Sequence, residues 1–227
     1  MCGRYAAILP AESIAALFQT HGPIPNWVGT WNMAPTRDAP VVRLHPETGE
    51  RHLSLLRWGL VPHWVKDPKT TRQPINARGE TIASTPMFRD AFARRRCLVP
   101  ADAFYEWQTT PEGKLPGKLP WAIARADAAC LVFAGLWEGW RGSDGTIIRS
   151  FAIVTTSAND ALRPLHERMP VVLEEPDWAL WLGEKTGAQD GDPAGLIRPS
   201  SVGFRAWRVA TTVNNVRNDA PSLLDPV

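Results

Sequence analysis

Many short strand-like runs separated by turn residues constrain the fold of this chain more than any other sequence feature. Apolar and β-branched runs predict strands at residues 2–9, 39–44, 51–58, 97–99, 103–108, 121–125, 130–137, 147–155, 171–173 and 204–211. Turn residues divide them, notably at 46–50, 111–120 and 141–145, and residues 22–36, 62–74 and 183–193 are predicted to be irregular. The chain is therefore predicted to consist mainly of β-structure.

Helices are few and short in this pattern. Ile14, Leu17 and Phe18 recur at helical spacing within residues 10–19, and further helices are predicted at 87–95 and 176–182. Ser157 is placed as the N-cap of another short helix that ends near residue 164. The sequence predicts a single α+β domain over residues 1–227, with a curved antiparallel sheet or barrel and a few short peripheral helices.

Composition and cysteine spacing exclude several classes of protein. Charged residues make up 21% of the chain, and the formal net charge of +2 does not by itself indicate a nucleic-acid binder. The three arginines at 94–96 are typical of a solvated face. Three cysteines without a Cys-x-x-Cys pair predict neither a disulfide framework nor a zinc site, so no metal or organic cofactor is expected. Cys97 and Cys130 lie in apolar runs and are predicted to be unreactive core residues.

The sequence also predicts where the protein works. No basic segment followed by an apolar stretch opens the chain, and no apolar run approaches the ~18 residues of a membrane helix. We therefore expect a cytoplasmic protein with no membrane contact, whose thiols stay reduced. We also expect it to be a monomer.

Cys2 follows the initiator methionine directly. Removal of Met1 would give Cys2 a free α-amine beside its thiol, and only an N-terminal cysteine offers this 1,2-aminothiol. The amine can condense with an aldehyde to an imine, and the thiol can then close a five-membered thiazolidine ring on the same carbon. An α-amine titrates near ~7.7–8.0, so a useful fraction is unprotonated at neutral pH.

Four other clusters combine polar residues with local rigidity: NMAPT at 32–36, INARGE at 75–80, FYEW at 104–107 and HERMP at 166–170. Each has an ordinary explanation when taken alone. Asn32 could cap a turn, Asn76 and Arg78 could be a loop pair, Glu106 could face solvent from an edge strand, and His166 could lie on the surface.

Several of the eleven tryptophans lie beside loop residues. They could stack on bases or close the ends of a β core, and the sequence leaves both alternatives open. The four concerned are Trp27, Trp31, Trp58 and Trp64.

Together with Cys2, these clusters resemble the SOS-response-associated peptidase (SRAP) family, the abasic-site processing proteins. The resemblance covers nearly the whole chain, through MCGRY at 1–5, NMAPT, WGLVPHW at 58–64, N-A-R-x-E-T at 76–81, FYEW, HERMP and VNNVRN at 213–218. It implies binding of single-stranded DNA and capture of an abasic deoxyribose as a thiazolidine crosslink to the processed Cys2. It also implies removal of Met1, by the protein itself or by a host aminopeptidase, and a nucleoid location during work on DNA.

The resemblance further implies residue roles. Cys2 is matched to the nucleophile and crosslinking residue. Its site partners are Asn76, Glu106 and His166. The residues matched or chosen for DNA contact are Arg4, Asn32, Trp64, Arg78 and Arg168. Partial burial beside Tyr105 and Trp107 is expected to raise the pKa of Glu106, our choice for the proton carrier.

Three other functions stay open at this point. An N-terminal-nucleophile amidohydrolase would use the same aminothiol against an amide such as glutamine. A thiol peptidase would need only a Cys2–His166 pair. A non-catalytic single-strand binder would use neither.

Overall fold

The computed structural model describes residues 2–109, 118–184 and 191–227. Met1, most of the predicted loop at 111–120 and the middle of the predicted loop at 183–193 lie outside the described residues. The described part contains twelve strands, three α-helices and four short 3-10 turns.

The strands are β1 Arg4–Ala7, β2 Thr30–Met33, β3 Asp38–Leu44, β4 Arg51–Trp58, β5 Asn76–Arg78, β6 Arg96–Ala101, β7 Ala103–Gln108, β8 Leu119–Arg125, β9 Leu131–Arg141, β10 Ile147–Ser157, β11 Arg168–Pro170 and β12 Phe204–Arg208. The α-helices are α1 Ala11–Phe18, α2 Arg89–Arg94 and α3 Glu175–Leu182. The 3-10 turns are Gly79–Thr81, Pro193–Leu196, Thr211–Asn214 and Pro221–Leu224.

Five strands close into a ring, in the order β10–β4–β3–β6–β9 and back to β10. A ring with an odd number of strands cannot alternate direction all the way round, so at least one neighbouring pair must be parallel. That pair is β4–β10, and the other four are antiparallel. The predicted barrel-like core is confirmed, with this parallel pair as an addition to the antiparallel prediction.

Two short strands extend the ring at β10. β5 runs parallel to β10, with Asn76 opposite Ile153 and Arg78 opposite Thr155. β11 lies antiparallel to the end of β10, with Arg168 opposite Ser157. Both strands therefore end near the same stretch of β10.

A second sheet of five antiparallel strands, in the order β12–β8–β7–β1–β2, lies against the ring. Strand alternation gives the ring two apolar faces. One face forms a cluster with the helices, including Ile14, Phe18, Leu98, Val154 and Trp181. The other forms a cluster with the second sheet, including Tyr5, Trp58, Phe104, Phe133 and Phe151.

The helices at 10–19, 87–95 and 176–182 are confirmed as α1, α2 and α3. α1 buries Ile14 and Phe18 and ends where Gln19 adopts a left-handed conformation, φ 52°. α3 ends at Gly183, φ 80°, where glycine carries no Cβ penalty.

Three local predictions are wrong. Residues 30–33 form β2 within a segment predicted to be irregular. Ser157 is the last residue of β10, and the turn that follows is capped by Asn159, whose Oδ1 accepts from the Leu162 amide at 3.1 Å. The late strand is β11 at 168–170 instead of 171–173, where Val172 makes only an isolated bridge.

The arginine run at 94–96 is not simply a solvated face. Arg95 donates to the buried Glu138 at 2.6 Å. Arg96 donates to the carbonyls of Phe92 at 2.6 Å and of Trp181, which joins the ends of α2 and α3. Two of the three cations therefore hold the fold together.

The free cysteines outside the N-terminus are in or beside the core. Cys97 is fully buried, and burial raises the pKa of its thiol. Cys130 is half-buried and packs against the cluster that contains the helices. Among the described residues, no helix is long and apolar enough to cross a membrane.

Candidate active site

Four predicted site residues converge from four elements. Cys2 precedes β1, Asn76 begins β5, Glu106 lies on β7 and His166 precedes β11. The Asn76 Nδ2 donates to the Cys2 carbonyl at 2.8 Å. The Glu106 charge influences the Cys2 thiol, and the His166 charge influences the Glu106 carboxyl, so the four groups share one electrostatic environment.

Cys2 is fully buried, within the cluster that joins the ring to the second sheet. Burial raises the pKa of its thiol strongly, and the neighbouring Glu106 charge raises that pKa further. A protonated thiol is a poor nucleophile. In this state Cys2 therefore needs a base, or an electrophile already formed beside it, before the sulfur can react.

Glu106 is buried, with 4% of its surface exposed. It shares a strand face with the buried Phe104, and β7 lies between β1 and β8, so the alternative of a solvated edge position is wrong. Burial raises the pKa of Glu106, and the His166 charge offsets part of that rise. The carboxyl can therefore hold a proton at a higher pH than an exposed glutamate can.

His166 is half-buried, and a backbone contact fixes its orientation. Its Nδ1 accepts from the Arg168 amide at 2.9 Å. When the ring is neutral, the proton must therefore lie on Nε2. The imidazole can present that Nε2–H to the site.

Of the two polar atoms of the Asn76 side chain, one makes a hydrogen bond and the other has no donor among the described residues. Its Nδ2 holds Cys2, whereas its Oδ1 is buried and accepts no hydrogen bond from the described residues. A buried acceptor without a donor is costly, so this oxygen is suited to an amine or hydroxyl that enters the site.

Arg78 and Arg168 both lie beside this centre, but they differ in exposure and in the contacts that they make. Arg78 is exposed, and it lies two residues after Asn76 on the same strand. Arg168 donates to the Glu80 carboxylate at 2.5 and 3.0 Å and to the Thr155 carbonyl at 2.7 Å. A cavity of about 400 Å³ adjoins β5, and its lining includes Arg72, Asn76, Arg78, Thr85 and Phe88.

Arg4 and Asn32 are hydrogen-bonded to each other and to the backbone of residues 213–218. Asn32 is fully buried, so its side chain does not face solvent. Its Oδ1 accepts from Arg4 Nη1 at 2.7 Å, and its Nδ2 donates to the Asn218 carbonyl at 2.8 Å. Arg4 is half-buried, and its guanidinium lies 5.7 Å from the ring centre of Trp107.

The four tryptophans that lie beside loop residues occupy different places. Trp64 is 54% exposed, in the connection between β4 and β5. Trp58 is fully buried, and its Nε1 donates to the Ile75 carbonyl at 2.9 Å, so it supports β5 and cannot stack on a base. Trp27 and Trp31 are half-buried and pack against core clusters.

Three residues near the site received no role from the sequence. Glu80 binds Arg168, Trp107 lies under Arg4, and Asn214 accepts from the Trp107 Nε1 at 2.7 Å. All three lie within motifs that carry the family resemblance, so their position in these motifs could have identified them as site residues. Within the described ranges, no group of histidine, cysteine, aspartate or glutamate side chains is arranged to hold a metal ion.

Comparisons with known proteins agree along almost the whole chain. The family model described as SOS response associated peptidase (SRAP) matches residues 1–216. Abasic site processing protein YoaM of Bacillus subtilis (strain 168) is 33% identical over 227 residues, covering 99% of this chain and 98% of that protein. Abasic site processing protein HMCES of Pongo abelii is 29% identical, covering 100% of this chain and 76% of that protein.

Solved structures share the fold. A crystal structure of a protein from Bacteroides thetaiotaomicron matches with a TM-score of 0.85 at 20% identity, and the match covers 100% of both chains. A crystal structure of a protein from Bordetella bronchiseptica matches with a TM-score of 0.73 at 29% identity, covering 92% of this chain and 100% of that one.

Proposed function

The chain belongs to the SOS response associated peptidase (SRAP) family, and on that premise we propose that it processes abasic sites in DNA. Relatives along its whole length are named abasic site processing proteins, which supports this coarse assignment. The finer proposal is that a monomer binds single-stranded DNA and crosslinks itself to the lesion through Cys2.

The proposed reaction begins with hydrolysis of the Met1–Cys2 peptide bond, which frees the Cys2 amine. The amine attacks C1′ of the ring-opened deoxyribose, and the carbinolamine loses water to give an imine. The Cys2 sulfur then adds to the imine carbon while the thiol proton passes to the nitrogen. The product is a thiazolidine, and no oxidant or reductant is consumed.

One observation carries this proposal: Asn76 holds the Cys2 backbone beside a buried Glu106 and an oriented His166. Opening the sugar ring and losing water both require protons to be delivered and removed. Glu106 holds a proton at a raised pKa, and His166 can present Nε2–H, so the two can share that work. The free Asn76 Oδ1 can accept from the new amine or from a sugar hydroxyl.

DNA binding is assigned to the surface around this centre. Arg78 is exposed beside Asn76, and Arg4 and Arg168 lie nearby, so all three can approach phosphates. Trp64 is exposed enough to stack on a base. An abasic site has no base to read, so binding should be independent of sequence and sensitive to salt.

The burial of the thiol favours this function over a thiol peptidase. A peptidase cysteine needs a lowered pKa, whereas burial and Glu106 raise the pKa of Cys2. In the crosslinking reaction the amine attacks first, so the sulfur needs to react only with an imine already formed beside it.

The decisive experiment compares proteins with a free and a blocked N-terminus. Protein that has lost Met1, protein that keeps an uncleaved tag, and tag-cleaved protein are each incubated with one abasic oligonucleotide and resolved on a denaturing gel. Blocking converts the amine to an amide, which cannot form an imine. We expect the blocked form to bind the DNA without becoming linked to it.

Equal crosslinking by a form that mass spectrometry shows to be blocked would refute the mechanism. Turnover of glutamine by the processed protein would favour the amidohydrolase. Mass spectrometry of Glu106→Gln protein tests the origin of the amine, because retention of Met1 in this variant alone indicates self-cleavage.

A further inference from the structure

Residues 211–219, called here the C-terminal loop, pack across one end of the second sheet. The loop begins with the 3-10 turn Thr211–Asn214 and follows β12 in the chain. Val213 is fully buried in a cluster with Tyr105, and Val216 is 48% exposed. The loop therefore has an inner side fixed to the sheet and an outer side open to solvent.

Asn32 is one anchor of the loop. Its Nδ2 lies within hydrogen-bond distance of three loop carbonyls, at 2.8 Å from Asn218, 3.1 Å from Asn215 and 3.4 Å from Val213. The backbone N–H of Asn32 donates to Thr30 Oγ1 at 3.1 Å. A fully buried amide with this many partners holds a backbone in place and is not placed to contact DNA.

Asp219 is the second anchor. Its carboxylate accepts from Thr30 Oγ1 at 2.6 Å and from the Trp31 amide at 2.7 Å, and Arg37 lies 3.9 Å away. Thr30 thus donates to Asp219 while accepting from Asn32, which joins the two anchors. Hydrogen bonds to a charged group are about twice as strong as neutral ones.

The loop in turn fixes two side chains that lie next to active-site residues in the chain. Arg4 Nη1 donates to the Val213 carbonyl at 2.9 Å as well as to Asn32. Trp107 Nε1 donates to Asn214 Oδ1 at 2.7 Å. Arg4 is two residues from Cys2, and Trp107 is the neighbour of Glu106.

We propose that the C-terminal loop is a wall of the DNA-binding site, and that Asn32 and Asp219 are positioning residues that hold Arg4 and Trp107 against the bound strand. This rests on the proposed function. Cys2, Asn76 and His166 are held by other contacts, namely Asn76 to Cys2 and Arg168 to His166, and Glu106 lies on β7 between two paired strands. Loosening the loop should therefore weaken DNA binding more than it slows the chemistry.

The test uses Asp219→Ala, with Val216→Ala as a matched control on the same loop, because the apolar Val216 side chain makes no hydrogen bond and is 48% exposed. Trypsin can cut after Arg217 when the loop opens, so the cutting rate reports the anchoring directly. We expect cutting to be about tenfold faster in Asp219→Ala than in wild type and unchanged in Val216→Ala. Asn214→Ala, which removes only the bond to Trp107, serves as a milder second variant should Asp219→Ala fold poorly.

Crosslinking is then measured as a function of the concentration of abasic oligonucleotide. For Asp219→Ala, the half-saturating concentration should rise about fivefold while the maximal rate per folded molecule stays within about twofold. For Asn214→Ala the same concentration should rise about twofold. A merely structural role predicts that, per folded molecule, both quantities match those of Val216→Ala, and that result would overturn the proposal.

A failure of the proposed function can be told apart from a failure of this inference. If wild-type protein forms no crosslink, the proposed crosslinking function is wrong. The role of the loop is then tested by measuring equilibrium affinity for unmodified single-stranded DNA. A fivefold weaker affinity in Asp219→Ala then supports the wall. An affinity equal to that of Val216→Ala overturns it.

Discussion

The ion pair of Arg168 with Glu80 leads to a prediction of unusual sign: neutralising an acid at the active site should strengthen DNA binding. In the free protein the Arg168 fork is occupied by Glu80, at 2.5 and 3.0 Å. A phosphate that approaches Arg168 must compete with this carboxylate. Glu80→Gln removes the competing charge and keeps the shape of the side chain.

The structure sets the expected magnitude. Glu80 is half-exposed, so its charge is screened, and two unit charges about 4 Å apart in water interact by about 1 kcal/mol. We therefore expect single-strand affinity to rise by about two- to fivefold at low salt, and the gain to shrink as salt is added. The pair itself contributes little to stability, about 0.2–1 kcal/mol.

Arg168→Ala should behave differently. The Arg168 side chain is only 16% exposed, and it also donates to the carbonyl and hydroxyl of the fully buried Thr155, at 2.7 and 3.1 Å. Leaving these acceptors unpaired costs about 1–3 kcal/mol, so we expect a fall of about 2–12 °C in Tm for a chain of this length. DNA affinity should also fall, with the salt slope reduced by about 0.7 if one phosphate contact is lost.

Fluorescence anisotropy with a labelled single strand at several salt concentrations measures both effects. Asp127→Asn is the matched control, because Asp127 forms a similar bidentate pair with Arg125 at 2.9 and 2.7 Å and is also about half-exposed. It raises the net charge equally but contacts none of the predicted site residues. If Glu80→Gln binds DNA no better than Asp127→Asn, Arg168 does not contact phosphate and acts only as a brace for β10.

Further predictions concern the chemistry and the core. Cys2→Ser keeps the amine but cannot form a thiazolidine, so denaturing gels should show no heat-stable adduct while anisotropy shows near-normal affinity. Because burial raises the pKa of Glu106 in the folded state, the folded protein binds that proton more tightly than the unfolded chain, and the free energy of unfolding should fall as the pH rises above about 4.5. Urea denaturation over this pH range should show that slope in wild type and a smaller one in Glu106→Gln. Gly135→Ala would place a Cβ 2.8 Å from the Cys97 Sγ and should destabilise the fold by about 1–3 kcal/mol, an effect that Cys97→Ala should partly relieve in a double-mutant cycle.

The sequence predicts well what depends on local pattern. α1 follows from the spacing of Ile14 and Phe18, and most ring strands follow from apolar runs between turns. β5 was not predicted and β11 was placed three residues too late, because three-residue strands are defined by their pairing with β10 and not by their own composition. β2 was also not predicted, because it lies in a segment rich in proline and tryptophan and is likewise defined by its strand pairing.

The same division applies to the site. The motifs identify Cys2, Asn76, Glu106 and His166, and the structure places them together. Burial is a tertiary property, so the sequence could not show that Asn32 is enclosed. Nor could it show that Arg168 would bind Glu80.

The single parallel pair that closes the ring has a consequence for how the protein folds. β4 meets β10 only at Arg57 with Ser150 and Trp58 with Phe151, positions far apart along the chain, so the entropic cost of closing this loop falls late in folding. β5 joins β10 in the same parallel manner, and it carries Asn76 to Cys2. A chain still emerging from the ribosome therefore exposes Cys2 long before its partners can surround it. The reactive centre should become competent only when the last strand of the ring has docked.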